Sequence, residues 1–276
     1  NFFNYKEIRK KMKKIHTSQI YFYQRLIIYF LIWYIYLSFM SKYSPLGVKW
    51  LDWHTLKIFN FSEFLKLNGF FSYYGFSIWT ICEDCSLDLI NWKDKIYLSL
   101  NLISNLPYVL LNKYFGGNDL KFYGHYIDKS VILLTGILIA ELSIQFNGKS
   151  FFSYKSFFAS IIIFIFFIIN PWTYKMILAY WVHIFFVFFF ILGNYFFLKK
   201  KENLGLISFF IAGCIDYQSS AGLIFYYIFI LVLSNLKKNW FISDEYYPNY
   251  SKNNLIKYKI ILSFLFPFLI YTLLKL

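Results

Sequence analysis

Phe151-Phe152-Ser153-Tyr154-Lys155-Ser156-Phe157-Phe158-Ala159-Ser160-Ile161-Ile162-Ile163-Phe164-Ile165-Phe166-Phe167-Ile168-Ile169 holds one charge, Lys155, and from Phe157 onward only Ala159 and Ser160 break a run of aromatic and branched aliphatic residues. Its length suits the roughly 17 to 25 residues that an α-helix needs to cross about 30 Å of hydrocarbon. Runs of the same kind lie on both sides of it. They are Ile20 to Met40, Lys129 to Phe146, Tyr174 to Leu198, Leu204 to Tyr217 paired closely with Ser220 to Leu236, and Lys257 to Leu276. A further stretch, Ile96 to Leu111, is interrupted by Asn101, Asn105 and Pro107, which suits an interfacial or re-entrant helix better than one facing lipid.

Composition supports the same fold class. Of 276 residues, 59% are hydrophobic, 25% aromatic and 15% charged, so a water-soluble globule would have more apolar surface than interior to hide it in. Disorder is excluded by 36 Phe and 26 Tyr, residue types that disordered chains lack. The expected fold is therefore all-α, a polytopic transmembrane helical bundle. In such a protein a net charge of +14 is an orientation signal before it is a ligand-binding one, and no nucleic acid partner is expected. There is no Gly-rich Lys-Ser/Thr segment for a nucleotide, and Gly116-Gly117 alone reads as a turn. The sequence begins at Asn1 and stops inside the apolar run Ile260 to Leu276, so it reads as a piece of a longer protein.

Positive charge sets the topology. Lys6, Arg9, Lys10, Lys11, Lys13 and Lys14 against one Glu7 place residues 1–19 in the cytoplasm. The span over 20–40 lacks a small-residue cleavage pattern and reads as an uncleaved anchor, with Arg25 near its inner end snorkelling to the interface. If Ile96 to Leu111 does not cross, the loops at Lys149, Lys199-Lys200-Lys201 and Lys237-Lys238 all fall inside, and this is the consistent count. Residues 41–127 then form one long outer loop whose lysines are nearly balanced by acids, and residues 128–276 form the rest of the bundle, about six further spans. The site of action is accordingly the plasma (inner) membrane, multi-pass.

A connection of that length usually has a job. Within it, Trp50-Leu51-Asp52-Trp53-His54-Thr55-Leu56-Lys57-Ile58-Phe59 is spaced as an amphipathic helix, with Trp50 and Trp53 at headgroup level. A second helical piece ends at Gly69. Cys82-Glu83-Asp84-Cys85 has the C-x-x-C form without the second ligand pair that zinc needs, so a local disulfide or plain packing is the better reading. No metal ligand set is assigned.

Asp52 after the first span, Phe64-Leu65-Lys66-Leu67-Asn68-Gly69-Phe70-Phe71, Tyr74-Gly75 with Trp79, Leu106-Pro107 with Leu110-Leu111, and Phe115-Gly116-Gly117 resemble the first outer loop of GT-C membrane glycosyltransferases. The order continues to agree, with a span, an inner turn at Asn147-Gly148-Lys149-Ser150, a span back, and Asn170-Pro171-Trp172-Thr173-Tyr174 where an outer Pro opens the next helix. The chain departs from some members at Val182-His183, where a carboxylate is common on that helix. The resemblance implies that Asp52 is the catalytic base and that the donor is a sugar carried on a polyprenyl phosphate, the lipid partner. The chemistry is coherent. One inverting step from phosphate to hydroxyl needs a carboxylate to take the acceptor proton, and cationic or metal help for the leaving phosphate.

Other side chains are substrate-binding candidates beside it. Glu83 and Asp84 could hold a divalent cation through oxygen ligands, the one cofactor considered, although an acidic helix start is the commoner meaning of such a pair. Glu141, His183 and Asp216 lie within or at the ends of apolar runs, where an ionisable group costs on the order of 2.5 to 3.5 kcal/mol to insert. Glu141 there either faces a helix partner or is protonated. Lys175 lies nearer the outer edge, and Asp216-Tyr217-Gln218-Ser219-Ser220 reads as an outer turn that adds Asp216 and Gln218. A lone Asp in a loop is ordinarily solvated or caps a helix, and this applies to Asp52 as well.

The function expected is thus transfer of a hexosyl or pentosyl group from a polyprenyl-phosphate donor to an acceptor at the outer face of a bacterial plasma membrane. A transporter or flippase using Glu141, His183 and Asp216 is the alternative from another class. An O-antigen-type polymerase shares the carrier but has its long loop late in the chain. The span count is checked by thiol labelling. Lys93→Cys is expected to react with an impermeant reagent from outside, and Lys200→Cys only from inside. The opposite pattern reverses the count.

Overall fold

The computed structural model describes residues 20–39, 77–78, 96–97, 106, 110, 114, 117–146, 154–173, 183–236 and 254–275. They form helices α1 (Ile20–Phe39), α2 (Gly117–Phe146), α3 (Tyr154–Ile169), α4 (His183–Leu198), α5 (Glu202–Ile215), α6 (Tyr217–Leu236) and α7 (Asn254–Lys275). Strands β1 (Ser77–Ile78) and β2 (Ile96–Tyr97) pair antiparallel, Ser77 opposite Tyr97 and Ile78 opposite Ile96. The chain divides into two compact units. The first comprises Asn1–Pro45 and Leu133–Tyr174, the second Leu46–Ile132 and Lys175–Leu276.

In the first unit, α1 buries Arg25, Tyr29 and Trp33, a stripe with the four-residue repeat of one helix face, and leaves Tyr23, Ile27, Phe30, Leu31, Tyr34 and Ile35 exposed. The polar end of the stripe meets α2. Arg25 Nε donates to Glu141 Oε1 and its Nη2 to Oε2, both at 2.8 Å, and the Tyr29 hydroxyl donates to Oε1 at 3.2 Å. A two-pronged pair of this kind gives the best return on desolvating both charges, and losing either partner strands the other. Arg25 therefore does not snorkel as the sequence suggested, because its side chain is only 2% exposed. Glu141 does face a helix partner. On α3, Ser160, Phe164 and Ile168 form the buried stripe, and the Phe164 ring lies 4.7 Å from that of Tyr29. Gly136 of α2 lets these rings in. A Cβ there would stand 2.8 Å from Phe167 Cδ1 and 2.9 Å from Phe164 Cε2, and Phe164 is fully buried with no room to yield. Beyond α3, Asn170 Oδ1 accepts the Trp172 N–H at 2.9 Å and Pro171 opens a helical turn over 171–173.

The second unit is organised by a hairpin of α4 and α5. Lys201 N–H bonds to Phe196 O and Lys200 N–H to Phe197 O, both at 2.9 Å, while Lys200 takes φ 59°. This is a Schellman termination of α4 with a lysine in the left-handed position usually given to glycine. The two helices approach closely at Gly193 and Gly205. A Cβ on Gly193 would lie 2.6 Å from Phe209, and one on Gly205 would lie 2.6 Å from Phe197, so each glycine seats a ring of the facing helix. Those two rings stack at 5.5 Å. Helix α7 packs against both α5 and α6. The core there joins Phe209, Ala212, Ile224, Tyr227, Ile260 and Phe264, with Phe209 and Phe264 rings 5.3 Å apart. Pro267, inside α7, faces Gly213, whose missing side chain would otherwise meet the proline ring at 3.1 Å.

Several expected boundaries move. Helix α2 begins at Gly117, so the end of the presumed loop over 41–127 is helical and Gly117 starts a helix instead of sitting in a turn. The run Leu204 to Tyr217 breaks at Asp216, and Tyr217 belongs to α6. The β1–β2 pair was not foreseen in an all-α chain. The proposed amphipathic segments around Asp52 and Gly69, and Cys82 with Cys85, lie outside the described residues. Among the described residues one helix, α1, is long and apolar enough to cross a membrane, by length and composition. The other apolar helical stretches, including α4 and α5, are 10–17 residues long. At 1.5 Å per residue the 14 residues of α5 rise only about 21 Å, because Lys201 and Asp216 cut the run at its two ends.

The buried pair gives a direct stability test. Arg25→Met leaves Glu141 buried without its cation and is expected to cost on the order of 3–5 kcal/mol. The double variant Arg25→Met/Glu141→Met is expected to regain most of that. Thermal unfolding in detergent micelles checks both, and equal losses in the single and double variants would show that stranded charge is not the cause.

Candidate functional site

Asp216 is the one residue between α5 and α6, and it belongs to neither helix. Its backbone is extended, φ −139° and ψ 97°, and its N–H closes α5 on Ala212 O at 3.2 Å. Its carbonyl accepts the Ser220 N–H at 3.1 Å and the Ser220 hydroxyl at 2.7 Å, which starts α6. The side chain completes the junction. Oδ1 accepts the Ser219 N–H at 3.2 Å, the third position of α6, as an aspartate N-cap does. Oδ2 accepts the Ser219 hydroxyl at 2.6 Å and faces His183 Nδ1 at 2.8 Å.

His183 arrives from the first turn of α4. Its side chain is 38% exposed while that of Asp216 is 3% exposed, so a buried carboxylate holds a half-open imidazole from behind. Burial pushes the Asp216 carboxyl up, but the hydrogen bonds from His183 and Ser219 outweigh it and hold the group below the ordinary aspartate value. With an ionised acceptor at that distance, Nδ1 carries the ring proton that is shared with Asp216. The other nitrogen, Nε2, then bears the lone pair in the neutral ring. The arrangement can accept a proton and can hold a hydroxyl.

Two of the candidates read from the sequence, His183 and Asp216, are thus brought together from positions 33 residues apart. Gln218 stands in the first turn of α6. Asp52, Glu83, Asp84 and Lys175 lie outside the described residues. Glu141 is committed to Arg25 within the other unit. Sequence reasoning missed Ser219, although an Asp at the start of an apolar run is an N-cap signal, and the N–H it caps is that of the residue three positions on. Among the described residues, no group of three or more His, Cys, Asp or Glu side chains is placed to hold a metal ion.

The capping part of this site is separable by mutation. Asp216→Ala is expected to cost about 0.5–2 kcal/mol, the range for losing an N-cap, and Asp216→Asn distinctly less, since asparagine caps as well. Helix loss on heating in detergent measures both, and equal losses would place the stabilisation elsewhere. Compared with protein-family models, curated proteins and solved structures, the chain matches none.

Proposed function

We propose that the chain is a multi-pass membrane glycosyltransferase that moves a sugar from a polyprenyl-phosphate donor to a hydroxyl of an acceptor at the outer face of the plasma membrane. The membrane part is supported by what the helices leave uncovered. Phe30 of α1, Phe166 of α3, Phe210 of α5, Phe225 of α6 and Phe266 of α7 are all exposed among further apolar side chains. Polar side chains of α4, α5 and α7 turn back on their own backbone. Asn194 donates to Phe190 O, Ser208 to Leu204 O and Ser263 to Ile260 O, each at 2.7–2.8 Å, as groups surrounded by hydrocarbon must. The six or so further spans of the sequence reading belong to this proposal, with short helices such as α5 completed by neighbouring residues or by local thinning of the bilayer.

The observation that carries the enzymatic part is the half-open His183 held by buried Asp216 at a helix junction. Transfer to a hydroxyl needs such chemistry near a carrier phosphate at headgroup depth. The outer-loop resemblance adds Asp52 as a carboxylate at the reacting centre. The transporter or flippase reading loses one of its three groups, since Glu141 is pinned to Arg25 by two hydrogen bonds and a third from Tyr29. Membranes carrying the protein are expected to transfer sugar from a polyprenyl-phosphate donor. Asp52→Asn is expected to abolish that transfer with insertion unchanged. A variant that keeps full activity removes Asp52 from the mechanism, and absence of any transfer by the native protein removes the enzyme.

A further inference from the structure

We propose that His183 is the group that takes the acceptor's proton and that Asp216 is the residue that positions it. This rests on the transfer reading above but departs from the outer-loop resemblance at one point, the identity of the base. Three features of the second unit support it. Asp216 Oδ2 lies 2.8 Å from Nδ1, which fixes the neutral ring with its lone pair on Nε2. Ser219 holds the carboxylate twice, through its N–H on Oδ1 and its hydroxyl on Oδ2, so Asp216 cannot rotate away from the ring without breaking the start of α6. The imidazole is also 38% exposed, so a substrate can reach it, whereas the carboxylate at 3% is shielded.

The step balances without another reactant. The acceptor hydroxyl gives its proton to Nε2 as its oxygen forms the new bond to the anomeric carbon. The bond from that carbon to the carrier phosphate breaks, and its electron pair leaves on the phosphate. Nδ1–H stays on Asp216, whose negative charge stabilises the imidazolium so formed. Asp52, which the resemblance names as the base, has no proton to take in this step.

The sequence alone gives no reason to prefer this pair. His183 opens one helix and Asp216 ends another, and only the α4–α5 hairpin sets the two side by side. The signal that was present is an ionisable residue within one apolar run, His183, and another at the end of the next, Asp216.

Two measurements on the full chain decide the proposal. The first needs no substrate. Diethyl pyrocarbonate modifies an imidazole at a nitrogen bearing a lone pair, and the rate at His183 is followed by mass spectrometry of its peptide. Asp216→Asn offers an amide N–H to Nδ1 and moves the ring proton to Nε2, so modification is expected to slow by about tenfold or more, as the wrong tautomer dictates. Equal rates in the native protein and Asp216→Asn overturn the positioning role. The second is transfer of sugar from a polyprenyl-phosphate donor. His183→Gly is expected to lose roughly 100-fold or more, the usual range for a general base, with part of the loss restored by added imidazole. His183→Gln, which keeps a polar side chain, should lose as much and gain nothing from imidazole. Transfer within about threefold of native in either variant, or no imidazole rescue of His183→Gly, overturns the assignment. If the native protein transfers no sugar while Asp216→Asn still slows modification, the glycosyltransferase reading fails and the oriented imidazole stands.

Discussion

A residue that ends one helix and begins the next must satisfy the free carbonyls of the first and the free N–H groups of the second, and in an apolar setting no water is at hand for either. Asp216 meets this demand for α5 and α6 through both its backbone groups and both its carboxylate oxygens. The geometry of the second unit follows. With the junction fixed, α7 can lie against both helices and close the cluster around Phe209 and Phe264. The same carboxylate, held for structural reasons, is what steadies His183. The orientation of the ring is a by-product of capping, because an acceptor already committed to a helix terminus costs little to turn toward a neighbouring ring.

In the first unit the corresponding fixed point is the pair of Arg25 and Glu141. The two units place their ionisable groups differently. Arg25 and Glu141 cancel each other fully and are buried, which suits a joint between helices. His183 and Asp216 are asymmetric, one open and one shielded, which suits chemistry.

What the sequence made legible divides along the same lines. Seven apolar runs correspond to the seven helices among the described residues, and most of their ends fall within a few residues of those observed, since burial and helix length are local properties of composition. The exceptions are instructive. The start of α2 at Gly117 was hidden because Asn118, Asp119, Lys121 and His125 are polar and look like loop, yet the helix runs on past its apolar part. The turn at Asp216 was legible, but Tyr217, an aromatic residue at its edge, was assigned to the span before the turn and belongs to the helix after it. Arg25 read as a snorkelling anchor because its partner stands 116 residues away, and no local pattern reports a partner at that distance. For the site, the sequence singled out His183 and Asp216 separately as ionisable groups in apolar runs. Their union depends on the hairpin, and so on Gly193 and Gly205 permitting a close crossing.

The hairpin's tip carries a further implication. Lys200 adopts a left-handed backbone that a side chain disfavours by roughly 1–2 kcal/mol relative to the right-handed form, at a place where glycine would sit without that penalty. Flanked by Lys199 and Lys201, it makes a triple ammonium cap on a turn too tight to bury any of the three charges in protein. In a bilayer such a tip would behave as a mooring. Helices α4 and α5 could then thread in together as one folded blade, while their lysine end stayed among anionic headgroups on the side from which they entered. A small backbone penalty would thereby be exchanged for a permanent sense of direction.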